Sequence, residues 1–426
     1  MTKRILVFPC GSEIGLEIHR SMRFSSHFDL VGGSSVDDHG RFVFEEHIGG
    51  LPFHDAADFA ERIIAAVRDY RIDAIYPTMD AVAETLQNLA GRIGCRVIGS
   101  DPRATAICAS KTAIYDALDG LVPMPQRYAS LDAVPSYPIF IKPDRGYSAR
   151  NTTQAATPED ARAFLASRRA DHMLLFEYLP GKEWTVDCFS DRHGALRFHA
   201  ARGRNRISNG ISVHTSPSDD HRAEFDSWAR TINATLRPRG AWFFQAKQSA
   251  SGRPVMMEVA ARLGGSSSLF RGLGVNFALL SAFDAFDQDV SIAPSAYPIE
   301  LDRALDNRYK IDIGYGHVFV DLDDCVLVRG RVNHQLIAFL FSAVAQGKGL
   351  TLLTRHHRDP QETLQQHRIA ELFDRVIHLT HGERKSDYID HADAIFIDDS
   401  FAERQNVSEN AGIPVFAPDM VEALLA

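Results

Sequence analysis

No apolar run in this 426-residue chain is long enough to cross a bilayer. The opening residues, Met1-Thr2-Lys3-Arg4, lead into a short apolar stretch rather than a signal-peptide core. Cysteine is sparse: five residues (Cys10, Cys95, Cys108, Cys188 and Cys325), scattered without metal-ligand spacing. An odd, dispersed set of this kind reads as reduced thiols, mostly core filler, and points to a cytoplasmic protein. Positive charge is not in excess. With 46 basic against 55 acidic residues the net charge is -9, which argues against a general nucleic-acid or membrane-surface binder but leaves room for a local basic pocket. Internal repeats and low-complexity segments are lacking too. What remains is a hydrophobic content of 45%, ordinary for globular protein, and a length that suggests two to four structural units.

The first hundred residues alternate strand and helix. Arg4 to Pro9 reads as a buried strand, and Gly11-Ser12-Glu13-Ile14-Gly15 turns into a helix reaching about Met22. Asp55 to Tyr70 and Asp80 to Ile93 carry helical periodicity, with short strands at Asp73 to Pro77 and Arg96 to Ile98. Such alternation implies a parallel sheet with a ligand crevice at the strand ends. The glycine turn either admits an anion at the helix N-terminus or is a tight turn without a ligand. This unit ends near Ala109.

The middle of the chain carries separated polar stations. Lys111 opens a helix. The strand Tyr137 to Lys142 ends in a lysine beside the loop Pro143 to Arg150, where Lys142 and the backbone around Ser148 suit phosphate. Met173 to Tyr178 is a strand joined by a short connector, through Leu179, to a second strand at Glu183 to Asp187. The connector either offers backbone groups to an adenine edge, with Glu183 on ribose hydroxyls, or is an ordinary hairpin. Arg202 to Gly210 is locally basic within an acidic protein, and Arg202 and Arg206 are candidates to clamp an anionic substrate.

The richest stretch is Met256 to Ser266. An apolar strand delivers Glu258 to its end, Arg262 follows four residues later, and Gly264 and Gly265 let backbone approach a ligand. A strand at Ala241 to Ala246 precedes it at hairpin distance, so Gln245 and Glu258 can share a hard cation while Arg262 holds a phosphoryl group.

Taken in order, Lys111, Lys142 with its Gly/Ser loop, Glu177 to Glu183, Gln245, and Glu258 to Gly265 resemble the ATP-grasp superfamily. The carbamoyl-phosphate-synthase-like and amino-acid-ligase branches are the nearest, over roughly residues 1–310. The resemblance implies a Rossmann-like domain over residues 1–109 and a two-lobed ATP-grasp domain over 110–310. It implies phosphate binding by Lys111 and Lys142, adenine and ribose binding by Glu177, Leu179 and Glu183, Mg²⁺ on Gln245 and Glu258, and phosphoryl stabilisation by Arg262. One departure stands out. The family commonly reads Glu-x-Asn-x-Arg, and here Ala260 replaces the asparagine, removing a metal-ligand oxygen.

The pattern restarts at Gly314. An apolar strand ends in Asp321-Leu322-Asp323, a second in Thr354-Arg355, and a third in Asp398-Asp399; Lys385 lies between the last two. Two carboxylates at alternate positions can divide nucleophilic attack and proton transfer between them. The set resembles the haloacid dehalogenase superfamily over residues 314–426. It implies Asp321 as nucleophile, Asp323 as general acid/base, Thr354 and Lys385 on the phosphoryl oxygens, and Mg²⁺ at Asp321, Asp323, Asp398 and Asp399. Only some twenty-five residues separate Val326 from Gly349, room for one helix and no cap domain.

The expected whole is a multidomain α/β and α+β protein: a Rossmann-like domain, a two-lobed ATP-grasp domain and a capless Rossmannoid domain. Its expected activity is an ATP- and Mg²⁺-dependent carboxylate–amine ligase joined to a phosphatase. The expected partners are a small carboxylate, an amine and a phosphorylated small molecule, without nucleic acid or membrane, with a homodimer as the candidate assembly. Two alternatives stay open: a kinase that forms no amide, and a nucleotide sensor regulating the phosphatase.

Overall fold

The computed structural model describes residues 2–146, 151–168, 172–305, 309 and 311–425. The chain divides into two compact units, residues 1–305 and 306–426.

The first unit opens with a parallel sheet of five strands: β1 (Lys3–Phe8), β2 (Phe28–Gly33), β3 (Glu46–Ile48), β4 (Ala74–Pro77) and β5 (Arg96–Val97), in the order β3-β2-β1-β4-β5. β1 is central and apolar on both faces. Ile5 and Val7 pack with Ile14 and Ile18 of helix Glu13–Met22, while Leu6 and Phe8 pack with Ile63 and Val67 of helix Phe59–Asp69. A strand covered on both sides reads as a continuous hydrophobic run, which is why it is legible in the sequence. In the glycine turn, the Ser12 hydroxyl caps the helix by accepting from the Gly15 N–H at 3.0 Å. A Cβ on Gly11 would strike the Asp38 carboxylate, so that face of the turn is filled by negative charge, which disfavours an anion there.

Two antiparallel sheets complete the unit. β6 (Arg127–Tyr128), β7 (Ile139–Pro143), β8 (Thr153–Ala155) and β9 (Met173–Glu177) run in the order β6-β9-β7-β8. β10 (Glu183–Ser190), β11 (Leu196–Ser208), β12 (Ile211–Pro217), β13 (Gly240–Gln248), β14 (Pro254–Ala260) and β15 (Leu301–Asp302) run as β14-β13-β10-β11-β12-β15. Alternate residues of β10 and β13 (Trp184 and Val186; Trp242 and Phe244) face inward against Phe225 and Trp228 of helix Arg222–Leu236. β9 and β10 are not a hairpin: they belong to different sheets, and the connector at residues 178–182 passes from one sheet to the other. The basic segment at 202–210 is mostly strand, the second half of β11.

The second unit holds a parallel sheet in the order β20-β19-β16-β21-β22, with β16 (His317–Val320), β19 (Gly349–Thr354), β20 (Arg375–His378), β21 (Ala394–Ile397) and β22 (Val415–Phe416). β17 (Leu327–Val328) and β18 (Arg331–Val332) form a small hairpin, and helix His334–Ala345 follows it to β19. Thus the stretch that could have carried a cap carries one hairpin and one helix.

Two candidate active sites

In the first unit the candidate residues converge on a cavity of about 410 Å³, within the usual range for a small-molecule site. Lys142, next to last on β7, donates from Nζ to the Met257 carbonyl at 3.4 Å and lies 4.6 Å from the Phe176 ring centroid. Burial pushes its ammonium down to about 8, with Glu258 opposing the shift and Lys111 adding to it. Lys111 begins helix Lys111–Leu118 and donates to the Asp144 carbonyl at 3.3 Å. The Asp144 carboxylate holds the same helix start through the Thr112 N–H at 2.7 Å. Two lysines in a water-poor pocket, one disfavoured as a cation, are an arrangement that a polyanion would stabilise.

Glu258 lies directly across from Gln245 in the β13–β14 pairing, and both line the cavity. Their oxygens form a hard donor pair that fits Mg²⁺. Two residues on, at the next position facing the same way, Ala260 is buried and supplies no oxygen. Arg262 leaves the end of β14 and donates from Nε to Asp80 at 2.8 Å and from Nη1 to the Leu263 carbonyl at 3.2 Å. Asp80 is the first residue of helix Asp80–Asn88, so the parallel-sheet domain helps fix the arginine on the cavity wall.

The opposite wall is built from β9, the connector and β10. Glu177 accepts the Gln126 N–H at 3.0 Å, and Leu179 is buried. Glu183 holds the Lys247 ammonium at 2.7 Å and the Arg204 Nε at 3.1 Å. Arg204 and Lys247 were missed in the sequence, although strand alternation could have found them: each lies two positions beyond an expected site residue, Arg202 and Gln245. Arg202 is buried and donates from Nε to Asp187 at 2.6 Å; its Nη1 has no hydrogen-bond partner among the described residues. Arg206 departs from expectation. The pairing of β11 with β12 is irregular between Arg204 and Arg206, and the displaced Arg206 side chain is exposed, pairs with Asp302 at 2.5 Å and does not line the cavity. Glu13, the first residue of helix Glu13–Met22, is a further wall residue that the sequence did not single out; Arg303 links it to Ser266. Ser148 lies outside the described residues.

Residues 169–304 match a family model described as ATP-grasp in the biosynthetic pathway with Ter operon. The N5-carboxyaminoimidazole synthetase of Staphylococcus aureus, solved with ADP, superposes with a TM-score of 0.61 at 14% identity, covering 71% of this chain and 82% of that one. The biotin carboxylase domain of Hydrogenobacter thermophilus 2-oxoglutarate carboxylase gives 0.58 at 16% identity, over 69% and 72% of the two chains. Biotin carboxylase from Campylobacter jejuni gives 0.57 at 16%, over 68% and 72%. No curated protein sequence matches the chain. The first unit has an ATP-grasp fold. The family match and the fold together support the ATP-grasp superfamily, and the cavity lies between the two antiparallel sheets of that ATP-grasp unit.

In the second unit, Asp321 follows β16, Thr354 ends β19, Asp398 follows β21, and Lys385 starts the short helix Lys385–Tyr388. The Lys385 ammonium donates to Asp321 at 2.8 Å and to Asp398 at 2.6 Å, with all three side chains buried. Burial pushes the Asp321 carboxyl up to about 6, against the pull of Lys385 and with the repulsion of Asp398. Burial opposes the charge on Lys385 as well, but the two carboxylates outweigh it and raise its pKa. Oxygens of Asp321 and Asp399 lie within 4.8 Å of each other and of the Cys325 sulfur. The carboxylate oxygens fit Mg²⁺; the Cys325 thiol is held protonated by burial and by Asp321, Asp398 and Asp399. Asp323 is half-exposed and turns to His356, whose Nδ1 is 2.9 Å from both carboxylate oxygens. His356, buried and two residues beyond Thr354, is a partner the sequence did not reveal.

Proposed function

We propose that the first unit is an ADP-forming carboxylate–amine ligase and the second a Mg²⁺-dependent phosphatase of the haloacid dehalogenase type, in a chain organised as 1–109, 110–310 and 314–426. The observation that carries the ligase reading is the convergence of Lys111 from a helix start, Lys142 from β7, and Glu258 and Arg262 from the end of β14 on one cavity. Lys111 and Lys142 would hold ATP phosphates, Glu177, Leu179 and Glu183 the adenosine, and Gln245 and Glu258 the Mg²⁺, which supplies charge neutralisation. A carboxylate is a poor electrophile. Transfer of the γ-phosphoryl group turns it into an acyl phosphate, an amine attacks the carbonyl carbon, and inorganic phosphate leaves. Arg262 offsets the charge on the transferring group, and Arg202 receives the anionic substrate. Hydroxylamine intercepts acyl phosphates. Incubating the chain with MgATP, hydroxylamine and a broad panel of acids should give a hydroxamate and ADP; ATP binding with no hydroxamate across the panel would reject the ligase.

For the second unit, Asp321 attacks phosphorus to form an aspartyl phosphate while Asp323 protonates the departing alkoxide, then deprotonates the water that hydrolyses the intermediate. Thr354 and Lys385 hold the phosphoryl oxygens; Asp321, Asp398 and Asp399 would hold Mg²⁺. The buried contact of Lys385 with two strand-end carboxylates supports this reading. Asp321→Asn should abolish hydrolysis of p-nitrophenyl phosphate.

A second reading, a nucleotide sensor without turnover, draws on Ala260. It requires that Asp321→Asn protein release no ADP with any acid, whereas the ligase retains substrate-dependent release in that variant.

A further inference from the structure

The end of the parallel sheet carries a cluster that neither proposed reaction uses. Cys10 lies just beyond β1, Asp38 in the segment after β2, and His47 on β3, so the three come from neighbouring strands or the segments that follow them. One donor atom from each lies within 4.8 Å of the others. The cluster is braced. The Ser34 hydroxyl donates to the Asp38 carboxylate at 3.0 Å and meets the Cys10 sulfur at 3.1 Å, and the Gly40 N–H donates to Asp38 at 2.9 Å. Backbone is drawn in close around it: a Cβ on Gly40 would sit 2.2 Å from the Cys10 sulfur, and one on Gly11 2.1 Å from the Asp38 carboxyl carbon. These two glycines leave the space that any side chain would take from the donors.

The geometry points to a site for a zinc-class divalent cation held by Cys10, Asp38 and His47. Sulfur, nitrogen and oxygen donors together suit a borderline-soft ion such as Zn²⁺, whereas Mg²⁺ selects oxygen alone. Tetrahedral coordination at about 2.0–2.3 Å places donor atoms some 3.3–3.8 Å apart, a spacing that fits inside the 4.8 Å enclosing the three. The Cys10 thiol gives its proton to solvent as the sulfur binds, and the fourth position goes to water. Ser34 and the Gly40 N–H act as outer partners that orient the carboxylate. A bound ion would tie the turn after β1 to β3, and Glu13, which follows that turn, lines the cavity wall.

The test uses the full chain, stripped with chelator and titrated with Co²⁺ alone, then with Zn²⁺ in competition. Thiolate coordination to Co²⁺ gives a near-ultraviolet charge-transfer band that carboxylate sites cannot produce. One equivalent of Co²⁺ should raise the band and Zn²⁺ should erase it. Cys10→Ser should lack the band, and His47→Ala should bind Zn²⁺ at least about tenfold more weakly. Cys325→Ser should keep the band, because the Asp321–Cys325–Asp399 group is the other sulfur-containing cluster among the described residues. Absence of the band in the native chain, its loss in Cys325→Ser, or unchanged binding in His47→Ala would each overturn the site. If Cys10→Ser does not fold, His47→Ala, at a half-buried position, decides alone.

Discussion

Lys142 is the residue at which stability and binding pull in opposite directions. Its side chain is half-buried and its ammonium is disfavoured as a cation, which is a cost of folding that Glu258 offsets in part and a bound anion would offset further. Lys142→Met should therefore lose the thermal shift caused by MgATP while the ligand-free chain melts no lower than the native one; differential scanning fluorimetry reads both. The pH dependence follows from the same depression. The folded-state value, about 8, lies below the ordinary 10.5, so the unfolded chain binds more protons between those two values and stability rises with pH across that window. Nucleotide affinity runs the other way and should weaken as pH rises through about 8, measurable by titration calorimetry. In the second unit the logic reverses. Lys385→Met leaves Asp321 and Asp398 buried together without their cation, and should destabilise that unit by about 3–5 kcal/mol in urea unfolding. Asp321→Asn keeps Lys385 paired with Asp398 and should unfold at nearly the native urea concentration.

At the scale of strands, β11 decides which arginines take part. Alternation alone places Arg202, Arg204 and Arg206 on one face; the irregular pairing after Arg204 sends Arg206 to Asp302 instead. Arg206→Ala should thus leave MgATP affinity within about twofold of native, whereas Arg204→Ala should weaken it about tenfold or more, because Glu183 loses a buried partner. This irregularity marks the limit of what the sequence discloses. Lys142, Gln245, Glu258 and Arg262 were legible because strand ends, hairpin spacing and a fixed interval announce them. The strand character of 202–208 was hidden by polar residues on an edge-ward stretch. Glu13, Asp80 and His356 were hidden for another reason: each reaches its partner only through tertiary folding, with Asp80 meeting Arg262 across 182 residues of chain. The N-terminal β1 was legible because both its faces are covered; β3 and β15, three and two residues long, carry too little pattern to be seen.

At the scale of the molecule, two compact units each bring their own acidic and basic groups together, and among the described residues each cluster is drawn from its own unit. The two proposed activities should be separable by mutation. Asp321→Asn should remove phosphate-ester hydrolysis and leave nucleotide binding intact, and Glu258→Gln should do the reverse. In the sequence, composition and strand pattern restart near Gly314; the structure divides between residues 305 and 306. The most direct test of the central claim is titration of the full chain with ATP, with and without Mg²⁺, in native, Lys142→Met, Glu258→Gln and Asp321→Asn forms. The expected result is one nucleotide per chain, strengthened by Mg²⁺, at least about tenfold weaker in the Lys142 and Glu258 variants and unchanged in the Asp321 variant. Nucleotide binding that survives both first-unit substitutions, or that disappears with Asp321→Asn, would contradict it.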